Sequence, residues 1–227
     1  MTREWTSPDG RMRLINGDCV EFMRSLPDKA FQLAIVDPPY GIGKRLSQGA
    51  GKLKNSALQN MNSEWDVAPS VEYFYELRRV CKNQIIWGGN YFDLPPTRCV
   101  LCWDKKQYMP TFSRWEMAWT SYDKPAKLFE DMGNEERIHP TQKPVALYRW
   151  LLQNYAKPGD RILDTHVGSA SSFIAAWEKG FEIVGCELDA DYFDVAVARI
   201  EKAMQQPALP FATLTPPQPQ HTAQELF

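Results

Sequence analysis

Residues 161–187 follow the pattern of a strand, a turn of small residues, a helix and a second strand. Arg161–Asp164 and Phe181–Cys186 are short apolar runs bounded by polar residues, which is typical of buried strands. Ser172–Lys179 between them is predicted to be a helix, and Gly180 ends it. A helix that joins two strands in this way makes them parallel members of one sheet. The segment therefore predicts an α/β fold with a doubly wound sheet.

The turn and the acid of this segment indicate a cofactor site. Thr165–Ser171 contains small residues, so backbone N–H groups at the helix start can approach a bound cofactor closely. Glu187 follows the second strand, 23 residues after Asp164, where a carboxylate can accept hydrogen bonds from ribose hydroxyls. The turn has one glycine, Gly168, in place of the three that bind a diphosphate, which favours a smaller nucleotide-like cofactor.

Asp37-Pro38-Pro39-Tyr40 stands at the end of another predicted strand, Phe31–Val36. Ligands of open α/β sheets bind at the carboxyl ends of strands. The prolines stiffen the backbone and remove two N–H donors, so the Asp37 carboxylate and a proline carbonyl can serve together as acceptors for an NH2 group. The Tyr40 ring can stack on a flat substrate. An ordinary strand exit has the same residue types, and the tetrapeptide alone leaves both interpretations open.

Length and composition predict one domain. The chain has 227 residues, of which 44% are hydrophobic, enough for one sizeable core over residues 1–203. Residues 204–227 contain neither Lys nor Arg and are expected to be a proline-rich disordered tail. With a net charge of −2, nucleic-acid contacts must come from local basic patches. The five scattered cysteines and the lack of a long apolar run predict a soluble cytoplasmic protein with reduced thiols and without a metal site.

Hydrophobic periodicity places the remaining elements. Strands are predicted at residues 11–16, 84–87, 99–103 and 115–120. Helices are predicted at residues 20–26, 69–81, 145–156 and 189–204, with Asp18 and Asp189 as N-terminal caps. Val71 and Tyr192 are placed on the apolar faces of the second and the last of these helices.

Two segments carry basic residues without a clear secondary structure. Residues 41–62 are rich in Gly, Ser, Asn and Gln, and are interpreted as a basic loop that contacts phosphates, with an idle solvated loop as the alternative. Residues 104–137 interleave basic and aromatic side chains, which suits nucleic acid but also a decorated surface hairpin. The predicted nucleic-acid-binding residues of the two segments are Lys44, Arg45, Lys52, Lys54, Lys105, Lys106 and Arg114.

Three blocks resemble the amino-methylating DNA methyltransferases that use S-adenosylmethionine (SAM). Asp37-Pro38-Pro39-Tyr40 is similar to their catalytic D-P-P-Y motif, and residues 139–144 to their H-x-T-x-K-P segment. Residues 164–171 are similar to a variant of their cofactor turn, D-P-F-x-G-S-G-T. The catalytic block precedes the cofactor turn, as in the circularly permuted β-class. The resemblance implies SAM as cofactor and a Rossmann-like methyltransferase sheet, mostly parallel with an antiparallel strand.

The resemblance also implies roles for individual residues. Asp37, Pro38, Pro39 and Tyr40 would be catalytic, and residues 104–137 would hold a small target-recognition insertion. The implied cofactor-binding residues are Asp18, Cys19, Asp37, His139, Thr141, Lys143, Pro144, Asp164, Thr165, His166, Gly168, Ser169, Ser171, Glu187 and Leu188. Thr165-His166 replaces the usual Pro-Phe of the turn, and Ala170-Ser171 replaces Gly-Thr. Small residues remain where the backbone must approach, so cofactor binding is expected to survive.

By resemblance, the substrate is an amino group on a base of double-stranded DNA. Asp37 and the Pro38 carbonyl would hold the NH2 group of a flipped-out base, and Tyr40 would stack on it. Asp rather than Ser before Pro-Pro-Tyr favours N6 of adenine over N4 of cytosine, which stays an alternative. Methylation of glutamine on a protein and an inactive nucleic-acid-binding module are further alternatives. Cytosine C5 methylation is disfavoured because the sequence has no Pro-Cys pair to supply the nucleophile.

Three further expectations concern partners and source. The small recognition region favours a homodimer. Gln224–Phe227, with a spacing one residue shorter, resembles the peptides that dock on the replication sliding clamp. The chain is expected to be bacterial or phage-encoded, either within restriction–modification or as an orphan methylase.

Overall fold

The computed structural model describes residues 3–42, 66–106, 113–131 and 142–205. Within these ranges one sheet contains the strands β1 Arg3–Thr6, β2 Met12–Asn16, β3 Phe31–Val36, β4 Cys81–Trp87, β5 Leu101–Asp104, β6 Trp115–Thr120, β7 Lys127–Glu130, β8 Arg161–Asp164 and β9 Glu182–Glu187. Their order is β1-β2-β9-β8-β3-β4-β6-β5-β7. The five central strands from β2 to β4 are parallel, whereas β1 and β6 pair antiparallel with their neighbours. The predicted mostly parallel α/β sheet with an antiparallel part is confirmed.

The described helices are α1 Cys19–Arg24, α2 Val71–Val80, α3 Val145–Tyr155, α4 Ser171–Lys179 and α5 Ala190–Gln205, and Gly89–Tyr91 forms one 3-10 turn. The predicted caps are confirmed at two of them. Asp18 Oδ1 accepts from the backbone N–H of Val20 at 2.7 Å, and Asp189 Oδ1 accepts from that of Asp191 at 2.8 Å. These bonds satisfy amides that have no partner inside the helix, which fixes where α1 and α5 begin.

Both faces of the sheet are covered, as a doubly wound fold requires. Leu33 and Ile35 of β3 belong to a core that includes residues of α3, α4 and α5. Ala34 and Val36 alternate with them and face a second core built with α1 and α2. Because successive strand side chains point to opposite faces, a strand buried on both sides is a continuous apolar run. That is why Phe31–Val36 could be assigned from its sequence.

Several sequence expectations were wrong. The edge strands β1 and β7 were not predicted, since their residues are mostly exposed and mixed in polarity. Val71 is 85% exposed at the start of α2, where Tyr73 is buried instead. The buried stripe of α5 consists of Phe193, Ala196 and Ile200, whereas Tyr192 is exposed. Helix α5 runs through Gln205, so the first two residues of the expected tail are helical.

The edge strand β1 is fastened to the last helix. Trp5 Nε1 donates to Glu201 Oε1 at 3.0 Å, and Arg3 forms an ion pair with Asp194. Both bonds join residues near the two ends of the described chain, so β1 and α5 hold each other in place. In the described ranges, no helix is long and apolar enough to cross a membrane. The rest of the expected tail, including Gln224–Phe227, lies outside the described residues.

Candidate active site

The direction of winding changes between the adjacent parallel strands β8 and β3. From β8 the chain passes through α4 to β9 on one side, and from β3 it passes through α2 to β4 on the other. Such a change leaves a crevice at the carboxyl ends of the two strands, which is where ligands of open α/β sheets bind. Asp164 ends β8 and Asp37 directly follows β3. The fold therefore brings the two acidic motifs of the sequence to one crevice.

The Asp37 carboxylate is held on both oxygens. The Tyr40 hydroxyl donates to Asp37 Oδ1 at 2.7 Å, and the Lys143 ammonium pairs with Oδ2. The Lys143 side chain is only 3% exposed, and its Nζ also lies 3.3 Å from the Tyr40 hydroxyl oxygen. Pro38 is buried and Pro39 is half-buried, so the proline pair is packed into the protein. The carboxylate and the ring hydroxyl of one sequence block and the lysine of another thus meet in one cluster.

A second acid, Glu116 of β6, extends this cluster. Glu116 Oε2 lies 3.1 Å from Lys143 Nζ, and its other oxygen pairs with Lys105. Burial alone would raise the pKa of Glu116, but the two ammonium groups outweigh it and hold the pKa at about 2. Burial would likewise lower the pKa of Lys143, yet Asp37 and Glu116 raise it above its usual range. Glu116 and Lys143 are therefore both charged at neutral pH.

The Tyr40 ring is packed on one face and crowded at its edge. Tyr91 stacks on it with ring centroids 5.0 Å apart and an interplanar angle of 19°. Gly88, at φ +69°, lies so close that an added Cβ would be 2.2 Å from Tyr40 Cε1. Gly88 thus serves both the turn after β4 and the close approach to Tyr40.

Replacing Gly88 with alanine should destabilise the protein by about 2–3 kcal/mol, because the new methyl group adds a clash with Tyr40 to the cost of a left-handed backbone. Gly159→Ala is the matched control, since Gly159 has φ +87° but nothing within 4 Å of an added Cβ. It should cost only about 1 kcal/mol in denaturant unfolding. In a Tyr40→Ala background the two alanine variants should cost the same, and a persistent difference would contradict the proposed clash.

Asp164 is a buried carboxylate without a cationic partner in the described part of the chain. It is 1% exposed and accepts from the Ser172 hydroxyl at 2.5 Å and from the His166 backbone N–H at 3.1 Å. Burial raises the pKa of Asp164 to about 7, against the opposing effect of these two hydrogen bonds. A positively charged ligand beside it would restore full ionisation.

Thr165 and His166 join a hydrogen-bond chain that begins at Tyr73. The Tyr73 hydroxyl lies 2.6 Å from Thr165 Oγ1, which lies 2.9 Å from His166 Nδ1. Thr165 thereby bridges the buried Tyr73 hydroxyl and the imidazole of His166. Burial lowers the pKa of His166 to about 4, so the ring is neutral at physiological pH.

The turn before α4 is braced from two sides. Glu187 Oε2 accepts from the Gly168 backbone N–H at 2.8 Å, and burial raises the pKa of this acid. Arg199 of α5 donates to the Ser169 carbonyl at 2.5 Å and to the Ser171 hydroxyl at 2.9 Å. Ala170 adopts φ +62°, a left-handed conformation in which glycine is easier to accommodate. The turn is thus fixed in its shape by β9 and α5.

The structure describes several of the other predicted cofactor residues. Asp18 is exposed at the start of α1, next to Cys19, whose pKa is raised to about 12 by burial and by Asp18. Leu188 is 73% exposed directly after Glu187. Pro144 begins α3 and positions Lys143 just before it. His139 and Thr141 lie outside the described residues.

A family model described as DNA methylase, for N6 and N4 amino methylation, matches residues 86–198. This match supports an amino-methyltransferase of DNA. The matched region runs from the end of β4, beside the cluster, through the cofactor turn to α5, and the D-P-P-Y motif precedes it.

One relative is YubD of Escherichia coli (strain K12), which is 27% identical and is aligned over 86% of this chain and 94% of its own length. Two solved structures share the fold. The M1.HpyAVI–SAM complex has a TM-score of 0.56 and 18% identity, and the match covers 83% of this chain and 99% of that one. PvuII DNA methyltransferase (cytosine-N4-specific) has a TM-score of 0.60 and 14% identity, with 88% and 91% covered.

The predicted DNA-contacting residues of the described part are each paired with an acid. Lys105 pairs with Glu116 inside the cluster. Lys106 pairs with Glu130 across the sheet edge, and Arg114 Nη2 lies 3.3 Å from Asp104 Oδ2. Lys44, Arg45, Lys52 and Lys54 lie outside the described residues. Contact of these residues with DNA stays a prediction.

Sequence reasoning missed Glu116, Tyr91 and Tyr73, which all contact predicted site residues. Glu116 had a visible signal, because it is the one acid in the otherwise apolar and hydroxylated strand Trp115–Thr120. A buried charge within a strand is costly unless it is paired, so such an acid indicates a site. Tyr73 and Tyr91 had no comparable signal, since both are aromatic residues in ordinary helical positions.

Proposed function

We propose that the chain transfers the methyl group of SAM to the exocyclic N6 amino group of adenine in DNA. The observation that carries this proposal is the Asp37 carboxylate at the end of β3, oriented by the Tyr40 hydroxyl and adjacent to the Asp164 turn. The match to a DNA methylase family model supports the reaction type, and the SAM complex of M1.HpyAVI supports the cofactor. The Asp of D-P-P-Y supports adenine by resemblance.

The residues of the turn fit SAM, which carries an ammonium and a sulfonium charge. Asp164 is an ionisable buried acid without a cationic partner in the described part of the chain, so it would gain a partner from the ammonium group. Both Glu187 oxygens already accept from backbone N–H groups, which orients the carboxylate towards ribose hydroxyls with its remaining lone pairs. When bound, SAM supplies an activated methyl group. Asp164 and Glu187 would hold it at the edge of β8 and β9.

In the proposed reaction Asp37 binds the exocyclic amino group of the target base. The adenine amino nitrogen is a weak nucleophile because its lone pair is delocalised into the ring. Acceptors on Asp37 and the Pro38 carbonyl would hold the two N–H bonds and favour a pyramidal nitrogen with a free lone pair. A nitrogen–carbon bond then forms as the sulfur–carbon bond breaks, and the nitrogen loses one proton to Asp37. Positioning supplies most of the rate for such an in-line displacement.

Nucleoside analysis tests the proposal. DNA incubated with the purified chain and SAM should yield N6-methyladenine, and an Asp37→Ala control should yield none. A product of N4-methylcytosine would identify cytosine, and not adenine, as the target base. The proposed role of Asp37 would stay the same, since cytosine also presents an exocyclic NH2 group. DNA without methylated amino groups, from a folded protein that binds SAM, would contradict DNA methylation and redirect attention to a protein substrate.

The DNA sequence that is recognised, the homodimer and the contact with a sliding clamp stay predictions. The residues expected to contact phosphates and the clamp lie mainly outside the described ranges.

A further inference from the structure

Lys143 lies between two carboxylates at the reaction centre. Its ammonium pairs with Asp37 Oδ2, and Glu116 Oε2 lies 3.1 Å from the same nitrogen. The nitrogen also lies 5.3 Å from the centroid of the Trp87 ring and 5.9 Å from that of Tyr40. A buried cation with two acids and two aromatic faces within reach has more than one stable position.

Each oxygen of the Asp37 carboxylate already accepts one hydrogen bond in this arrangement. Oδ1 accepts from Tyr40 and Oδ2 from Lys143. An ammonium beside Oδ2 competes with a neutral substrate NH2 group as a hydrogen-bond donor. A shift of Lys143 away from Asp37 would therefore strengthen the bond between Asp37 and the substrate amino group.

Glu116 offers the place to which Lys143 can withdraw. Lys105 holds the other oxygen of Glu116, which keeps this acid ionised and fixed in position. The withdrawal does not leave the ammonium unpaired, because it exchanges one carboxylate for another. Leaving a buried charge without a partner would cost several kcal/mol, and Glu116 removes that cost.

We propose that Lys143 alternates between Asp37 and Glu116. With an empty substrate pocket it pairs with Asp37, and when a target amino group enters it moves to Glu116 and frees Asp37 Oδ2. Glu116 is then a positioning residue that acts through Lys143. This inference rests on the proposed amino methylation. It also links β6, in the segment predicted to hold target recognition, to the acid that receives the substrate.

A steady-state comparison of Glu116→Gln, Glu116→Asp and Glu182→Gln tests the first consequence. In Glu116→Gln the ammonium keeps Asp37 as its only carboxylate partner at the reaction centre, so kcat should fall roughly tenfold to hundredfold. KM for DNA should change little, because phosphate contacts dominate DNA affinity. Glu116→Asp should recover part of kcat. Glu182 pairs with Arg161 on the exposed end of β9, so Glu182→Gln should behave as wild type.

The pH profile of Lys143→Met tests the second consequence. Without the ammonium, Asp37 lies near Asp164 and the hydroxyls of Tyr40 and Tyr148, and Glu116 lies on the other side of the vacated position. Among the described residues of the cluster, the cation that remains is Lys105, which pairs with Glu116. Neighbouring carboxylates take up a proton more readily, so the acid limb of kcat should move to higher pH by about one unit. In the double variant Lys143→Met/Glu116→Gln, the acid limb of kcat should return to lower pH. In the Lys143→Met background, Glu116→Gln should also no longer lower kcat.

The outcomes separate the inference from the proposed function. A wild-type protein that neither binds SAM in calorimetry nor methylates DNA would overturn the proposed function. An active wild type with Glu116→Gln at full kcat would overturn the alternation of Lys143. Losses in Glu116→Gln and Lys143→Met that are additive and equal at every pH would also overturn it, since they would indicate a purely structural role.

Discussion

Replacing Asp37 with alanine should lower methyl transfer by about 10³-fold, while the protein stays folded. The substitution removes the carboxylate that would accept from the substrate amino group and take up its proton, and leaves the Pro38 carbonyl as the other proposed acceptor. Lys143 keeps Glu116 as a partner, so the change does not strand a buried cation. The Asp37 side chain is 17% exposed, and its removal leaves no large cavity. The measurement is the rate of tritiated methyl transfer from SAM to DNA, with thermal unfolding as the check on folding.

Asp37→Asn is the informative companion of this variant. The amide keeps one acceptor oxygen and the same shape, but it cannot take up the proton. Its rate should lie between those of the wild type and Asp37→Ala. SAM binding should remain measurable in calorimetry for both variants, which shows that the pocket is intact. Full activity in either folded variant would contradict the role of Asp37.

Asp164→Asn should have opposite effects on stability and on cofactor binding. The folded pKa of Asp164, about 7, lies above the ordinary value of 3.8, so the native state binds the proton more tightly than the unfolded chain. The stabilisation from that proton is complete below about pH 4 and is lost as the pH rises through 7. Asparagine carries no charge, so at about pH 8 the variant should be more stable than the wild type by roughly 1–3 kcal/mol. At about pH 5 the difference should largely vanish.

The same substitution should weaken SAM binding by about a hundredfold, because the cationic ammonium loses its ionised partner. In the wild type, SAM affinity should fall as the pH drops below 7, and binding should release a proton that calorimetry in buffers of different ionisation enthalpy detects. Asp123→Asn is a suitable control, since Asp123 is 86% exposed and pairs only with Arg98. An unchanged SAM affinity in Asp164→Asn would remove Asp164 from the site.

Local sequence signals were sufficient for the buried centre of the sheet and insufficient at its edges. The bounds of β3, β6 and β8 were predicted correctly because each strand is an apolar run with polar residues on both sides. Helix starts at Asp18 and Asp189 were predicted because capping is a contact between residues two or three apart. β1 and β7 were missed because their backbone pairing, and not burial of their side chains, keeps them in the sheet.

At the candidate site, too, local motifs could be predicted, whereas contacts between distant segments could not. The D-P-P-Y motif and the Asp164 turn are local in sequence, so both could be predicted, as could their position at the carboxyl ends of strands. The pairing of Lys143 with Asp37 joins residues 106 positions apart, and Glu116 comes from a third element. No local pattern encodes such contacts, since they depend on the order of strands in the sheet.

The bond from Arg199 to the turn at Ser169 and Ser171 has a consequence for synthesis of the chain. β1, β3 and Asp37 emerge from the ribosome early. β1 cannot form its contacts with α5 until that helix has been made. The cofactor turn cannot reach its final shape until α5, the last described helix, has been made. The order of the motifs thus delays assembly of the cofactor pocket to the end of translation, so a truncated chain that lacks α5 carries the catalytic acid without a formed pocket.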